Sequence, residues 1–379
     1  MRVRALLLAV PLIVLAACSS GTTTTSTSGS GASGSGSAAP TLGPTVPAAT
    51  AVAAAVPADQ LPTASGAFGE KPTLAFPSTD PVPSLQRVIL SEGTGPVTAS
   101  GDWLMTNYLG QIWGGAVFDN SYDRGTTSAF QIGKQKVVPG WDTALVGVPV
   151  GSRVMLSLPP ADGYGAAGKS AGGISGTDTL VFVVDIVQDI AAGTGGQADA
   201  MPAAPLPASG PQVSGALGAV STVTVPSGLA EPTAPTVTVI ATGTGAPVAL
   251  GQVLVQYTAV TWAGQSAGTT WPSGDPSTGG DGPQELPVAT DGPFAGLVGI
   301  PLGSRVLVQV PGQTDQQSGQ QQPSIAAVVD LLVQTTVTPA TSASPTAAGS
   351  SAPTAAGSSA ATAAGSSAPA AAGSTAPTG

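Results

Sequence analysis

Six aromatic residues between positions 85 and 190 stand where local elements begin or end: Tyr108, Phe118, Phe130, Trp141, Tyr164 and Phe182. Asp119 follows Phe118 directly. The chemistry open to such a set is narrow. The chain has no histidine and one cysteine. That excludes a histidine-based triad, a histidine-liganded metal site and a disulfide within the chain. No cofactor is expected of such a set, and its alternative reading is a plain core.

The elements that must position these residues are legible nearby. Val137 and Val138 end an extended segment, and Pro139 suits the first turn of a helix. Trp141, Ala144 and Leu145 then fall at the spacing of one helical face, and Gly147 can end the helix in a left-handed conformation. The pattern predicts strands at Leu85–Leu90, Trp103–Leu109, Ala129–Ile132, Arg153–Leu158 and Thr179–Ile186. Five strands and one short helix predict an α+β domain over 83–190, an antiparallel sheet wrapped on the helix.

This domain resembles an FKBP-type peptidyl-prolyl cis-trans isomerase. The matching stretches are Asn107-Tyr108-Leu109-Gly110, Val117-Phe118-Asp119-Asn120-Ser121, Phe130-Gln131-Ile132-Gly133, Val137-Val138-Pro139-Gly140-Trp141, Gly151-Ser152-Arg153, Gly163-Tyr164-Gly165 and Leu180-Val181-Phe182. They occur in the family's order and at close to its spacing. The resemblance implies Trp141 as pocket floor and Tyr108, Phe118, Phe130 and Phe182 as apolar walls. It implies Val137 and Val138 at the rim, Asp119 as the pocket carboxylate and Ile174 as the loop residue that closes over a proline. It implies that the Tyr164 hydroxyl binds a substrate carbonyl. Ser175-Gly176-Thr177 departs from the family, which usually has prolines there, and this leaves the loop's shape open.

The rest of the chain divides by composition. Charged residues make up 8% of its 379 residues, against about 25% in typical domains. A net charge of −10 argues against a nucleic-acid partner. Residues 1–17 read as a secretory signal, with Arg2 and Arg4 before an apolar run. Leu15-Ala16-Ala17-Cys18 looks like a bacterial lipobox, so Cys18 is expected to carry lipid and to anchor the chain to the outer face of the cytoplasmic membrane. Residues 18–82 read as a flexible Ser/Thr/Gly/Ala/Pro tether, 191–220 as a linker and 337–379 as a low-complexity, disordered tail. The tail's Ser/Thr with Pro also suits an O-glycosylated stalk.

An internal repeat runs through the folded part. Leu145–Pro159 and Leu297–Pro311 are identical at nine of fifteen positions. Gly93-Thr94-Gly95 is echoed by Gly243-Thr244-Gly245, and Val183-Val184-Asp185 by Val328-Val329-Asp330. A second FKBP-like domain is therefore expected over 221–336. Its pocket is expected to be degenerate: Tyr257 survives, with Trp271 near the Phe118 position and Pro272 at that of Asp119. Pro293 stands in place of Trp141, Ala327 in place of Phe182, and the Gly-Tyr-Gly turn is missing.

These readings together predict an isomerase for X-Pro bonds in unfolded or partly folded exported proteins, monomeric and anchored through Cys18. The alternative is a non-catalytic binding module, a holdase or adhesin-like lipoprotein that grips Pro-containing segments.

Overall fold

The structure, a computed structural model, describes residues 56–273, 279–314 and 319–338. The expected signal, Cys18, most of the expected tether and nearly all of the expected tail lie outside them. A short hairpin comes first, β1 (Thr63–Ser65) and β2 (Thr73–Ala75). Then follow β3 (Gln86–Ser91), β4 (Trp103–Ile112), β5 (Val117–Asn120), β6 (Ser128–Gln131), α1 (Pro139–Ala144), β7 (Arg153–Leu158) and β8 (Leu180–Ile190). They form one antiparallel sheet in the order β3-β7-β8-β4-β5, with β6 also paired to β4. The predicted strands and helix are there, and β5 is an additional one. Its four residues carry no alternation long enough to read as a strand, and only pairing with β4 makes them one.

Strands β7 and β8 have nearly continuous burial because both of their faces are covered. Val154, Leu156, Leu158, Leu180, Phe182, Val184 and Ile186 pack on the α1 side with Trp141, Ala144 and Leu145. The alternate residues Met155, Val181 and Val183 pack on the other side, against Leu61, Ala64, Leu74 and Phe76. So the expected tether does not extend over residues 57–82. Residues 57–82 are folded, because the back of this sheet is apolar and the β1–β2 hairpin covers it. The turn of that hairpin is held by a buried ion pair. Arg153 Nε donates to Asp185 Oδ1 at 2.6 Å, Arg153 Nη1 and Nη2 donate to the carbonyls of Gly66 and Glu70, and the Gly69 N–H donates to Asp185 Oδ2 at 2.7 Å.

The second half repeats the plan. It comprises β9 (Met201–Pro202), the hairpin β10 (Gln212–Ser214) and β11 (Thr222–Thr224), β12 (Thr236–Thr242), β13 (Gly251–Thr261), β14 (Ser266–Thr269) and β15 (Gln284–Val288). It continues with β16 (Arg305–Val310), the two-residue strands β17 (Gln313–Thr314) and β18 (Gln321–Gln322), and β19 (Ile325–Val337). The sheet order β12-β16-β19-β13-β14, with β15 on β13, matches that of the first half, and β9 adds a further edge strand on β12 that the first half lacks. Arg305 and Asp330 form the equivalent buried pair, and Arg305 donates to the Ala216 and Ala219 carbonyls of the second hairpin.

Two expectations are corrected here. Residues 191–220 are not a free linker, since they contain β9 and β10, and the Gly196 N–H donates to Asp330 Oδ2 at 2.9 Å. Among the described residues the second sheet also wraps no α-helix. Pro293 and Gly296 interrupt the segment, and Ala295–Leu297 forms a single 3-10 turn. Nor do the halves stand apart. Met105, Ile190 and Leu254 share an apolar cluster with Trp103 and Leu332, and the Trp103 indole N–H donates to the Pro283 carbonyl at 2.7 Å. Both sheets belong to one compact unit ending at Thr338.

Candidate active site

The α1 side of the first sheet gathers the aromatic residues around Trp141. Pro139 starts α1, and the first turn delivers the Trp141 side chain into the core at 3% exposure. Three rings meet its indole edge to face: Phe130 at 5.1 Å, Phe182 at 5.2 Å and Tyr108 at 5.5 Å between centroids. Phe118 in turn meets Phe182 at 5.6 Å. Such perpendicular pairs are preferred over stacked ones because of the ring quadrupole. Val137, Val138 and Tyr164 are partly buried against the same cluster, and Ile174 lies within it. All nine apolar and aromatic site residues predicted from the sequence therefore converge.

Gly110 makes the convergence possible. It faces Phe182 on one neighbouring strand and Asp119 on the other. A Cβ there would lie 2.7 Å from Phe118 Cζ and 2.8 Å from Phe182 Cε1. Only glycine leaves room for both rings.

Asp119 sits at the edge of this array, bonded to Tyr108 and to Arg124. The Tyr108 hydroxyl donates to Asp119 Oδ2. Arg124 Nη1 donates to Asp119 Oδ1 at 2.5 Å, and Arg124 Nη2 donates to the Tyr108 oxygen at 3.0 Å and to Ser128 Oγ at 3.1 Å. Burial opposes ionisation of Asp119, but the hydrogen bonds from Tyr108 and Arg124 and the guanidinium charge outweigh it, and the carboxyl lies below its ordinary range. Burial, then the hydrogen bond to Asp119, pushes Tyr108 up to about 12. At neutral pH the group is therefore a carboxylate with two committed donors. It orients Tyr108 and is badly placed to carry a proton.

Arg124 is the residue that sequence reading missed. It lies in the exposed turn after β5, where an arginine is ordinarily a solvated surface charge. The available signal was its position five residues after Asp119 in a chain with few cations. The loop 165–178 is also explained. Gly176 packs so closely that a Cβ would lie 2.0 Å from the Ala166 carbonyl oxygen, and Asp178 accepts from the Ser175 N–H at 2.7 Å. Ser175-Gly176-Thr177 thus folds back on 165–168 by close backbone contact and a side-chain cap, without prolines.

The second half places different residues at the matching positions. The Tyr108 N–H donates to Ser121 Oγ, and the Tyr257 N–H donates to Thr270 Oγ1. With that register Gly268, opposite Ala259, holds the Asp119 position, and Ala267 holds that of Phe118. The expected places of Trp271 and Pro272 are corrected: Trp271 follows Thr270 as Tyr122 follows Ser121. Matching by aromatic type misled, because strand pairing sets the register. Ala327 does stand opposite Ala259, as Phe182 stands opposite Gly110.

Comparison with known proteins agrees with this geometry. The model of the FKBP-type peptidyl-prolyl cis-trans isomerase family matches residues 95–187, a span that contains all ten site residues. An FK506-binding protein of Streptomyces anulatus is 39% identical over 119 residues, covering 31% of this chain and 96% of that protein. FK506-binding protein 2 of Dictyostelium discoideum is 41% identical over 90 residues, 24% of this chain and 67% of that protein. The human peptidyl-prolyl cis-trans isomerase FKBP9 is 36% identical over 104 residues, 27% of this chain but only 18% of that protein. This chain belongs to the FKBP-type peptidyl-prolyl cis-trans isomerase family.

Proposed function

We propose that the first half accelerates X-Pro isomerisation in exported proteins, as a folding factor held outside the cytoplasmic membrane by lipid on Cys18. The observation that carries the isomerase reading is the array of rings around Trp141, with the nearby carboxylate already committed to Tyr108 and Arg124. Rotation about an X-Pro bond is slow because amide resonance maintains a barrier of about 18–20 kcal/mol. The twisted amide has lost that resonance and is less polar at its carbonyl, so a dry aromatic pit favours it over the planar ground state. Trp141, Phe130, Phe182 and Phe118 exclude water from the proline. The hydroxyl of Tyr164 is a donor for a flanking carbonyl. No proton moves and no covalent bond forms.

The second half we read as an FKBP-like sheet without turnover. Pro293, Ala267, Gly268 and Ala327 remove the floor, two walls and the carboxylate, while the Arg305–Asp330 pair and the strand order keep the architecture. That erosion also favours the rival reading, a binding module that grips Pro-containing segments without catalysis.

Refolding of a protein limited by an X-Pro step separates the two. The full chain should accelerate it at catalytic ratios, and Phe182→Tyr should abolish most of the acceleration. Suppressed aggregation with no change in the refolding rate would favour the binding module. For the anchor, Cys18→Ser should release the protein from membranes and prevent lipid labelling; unchanged retention would place the anchor elsewhere.

A further inference from the structure

Lys169 stands beside the tyrosine that the proposed function uses. Its ammonium nitrogen is 3.3 Å from the Tyr164 hydroxyl oxygen and 4.9 Å from the ring centre. Its backbone is pinned to the pocket loop at both ends: the Lys169 N–H donates to the Ile174 carbonyl at 2.9 Å, and the Ile174 N–H donates back at 3.1 Å. Gly168 makes the bend that leads into this contact, with φ of 61°, and a Cβ there would lie 2.3 Å from the Ile174 carbonyl oxygen. The loop therefore ties Lys169 to buried Ile174 and to Tyr164 at once. The contact is also not shared with a carboxylate. Lys71 and Lys134 each pair with an aspartate, whereas Lys169 takes part in none of the ion pairs among the described residues.

The direction of the bond follows from the groups. An ammonium has three donors and no acceptor, while a phenol has one hydrogen and two lone pairs. Lys169 must donate and the Tyr164 oxygen must accept. The Tyr164 hydrogen is then left to point elsewhere. A hydroxyl that accepts from a cation is itself a stronger donor, because the chain of hydrogen bonds polarises it.

We propose that Lys169 is a positioning residue that acts through Tyr164, turning the hydroxyl hydrogen toward a carbonyl of the bound X-Pro segment and strengthening that bond. This rests on the isomerase reading above. No proton is transferred and no bond is broken. Because Lys169 is exposed, its effect is modest and falls as salt is added.

A double-mutant cycle in the full chain tests it, with steady-state turnover of a neutral X-Pro peptide at low ionic strength. The variants are Lys169→Met, Lys169→Arg, Tyr164→Phe and the Tyr164→Phe/Lys169→Met pair. Lys169→Met should lower kcat/KM about three- to tenfold, the span of one ordinary hydrogen bond. Lys169→Arg should restore most of the loss. In the Tyr164→Phe background Lys169→Met should change nothing further, since the atom it acts on is gone. Equal losses in both backgrounds would overturn the proposal, because the lysine would then act on substrate directly. So would a Lys169→Met or a Tyr164→Phe that turns over like the wild type. A wild-type chain with no turnover would remove the isomerase reading itself, a failure visible before any variant is compared.

Discussion

At the scale of single residues, the site separates apolar work from polar work. Trp141 is 3% exposed and Phe182 4%, whereas Asp119 lies at the exposed edge in a pair with Arg124. If desolvation drives catalysis, wetting the wall should hurt more than removing the charge. Phe182→Tyr adds one hydroxyl to the aromatic wall beside Trp141, and its turnover should fall at least about tenfold, the effect of roughly 1.4 kcal/mol on the barrier. Asp119→Ala should cost less, since its cost comes through Tyr108 losing its acceptor. Circular dichroism should show both folded. A variant series in which Asp119→Ala is inactive and Phe182→Tyr is normal would replace desolvation with a carboxylate-centred mechanism.

At the scale of elements, a close approach and a hairpin carry the site. Strand β4 must bring Gly110 between Phe118 and Phe182, so Gly110→Ala overpacks the wall at two rings together. Overpacking of this kind costs about 1–3 kcal/mol, and the urea midpoint of the variant should drop accordingly while that of Ala259→Gly changes much less. The hairpin β1–β2 covers Met155, Val181 and Val183 and caps the Arg153–Asp185 pair. A chain beginning at residue 83 should therefore unfold at lower denaturant and bind apolar dyes, whereas one beginning at residue 56 should not. Equal stability of the two would mean that the hairpin is an ornament. Asp185→Leu leaves Arg153 buried without its charge partner, which commonly costs about 3–5 kcal/mol; thermal melts of the full chain report it.

At the scale of the whole molecule, the junction of the halves holds a second titratable feature. Asp102 lies buried where β4 begins, with Oδ1 accepting from the Ala192 N–H at 3.0 Å and Oδ2 from the Ala99 N–H at 2.6 Å. Asp189, near the end of β8, is raised from 3.8 to about 7 by burial, and then by the charge of Asp102 and a hydrogen bond to it. The sign of the consequence is definite. Between about pH 4 and 7 the unfolded chain has already lost this proton while the folded chain keeps it. Folding stability should therefore fall as pH rises through that window and level off above it. Asp189→Asn should remove the slope and stabilise the chain at pH 8, by roughly 1 kcal/mol once partial solvation of the carboxyl is allowed for. Chemical denaturation at pH 5 and pH 8 measures both; a wild type equally stable at the two values would rule the junction out as a proton-linked element.

What the sequence determined by itself was everything that depends on residue type and short spacing. The order Tyr108, Phe118, Phe130, Trp141, Tyr164, Phe182 carried the pocket through its resemblance to the family, and Tyr108, Phe130, Trp141 and Phe182 sit on elements whose period or punctuation is visible in a few residues, whereas β5, which bears Phe118, is not legible alone. Pro139 and the Trp141, Ala144, Leu145 spacing marked α1, and the Leu145–Pro159 repeat revealed the second sheet. Tertiary structure alone decided what depends on distant partners. Residues 57–82 look like tether until the back of β7 and β8 needs a cover, since three-residue strands bury too little to be recognised alone. Arg124 looks like surface until β5 turns it onto Asp119 and Tyr108. Trp271 looks like a pocket wall until the Tyr257–Thr270 bond shifts it to the Tyr122 position. Local preferences are written in neighbouring residues, whereas register, covering and charge pairing are settled between segments far apart in the chain.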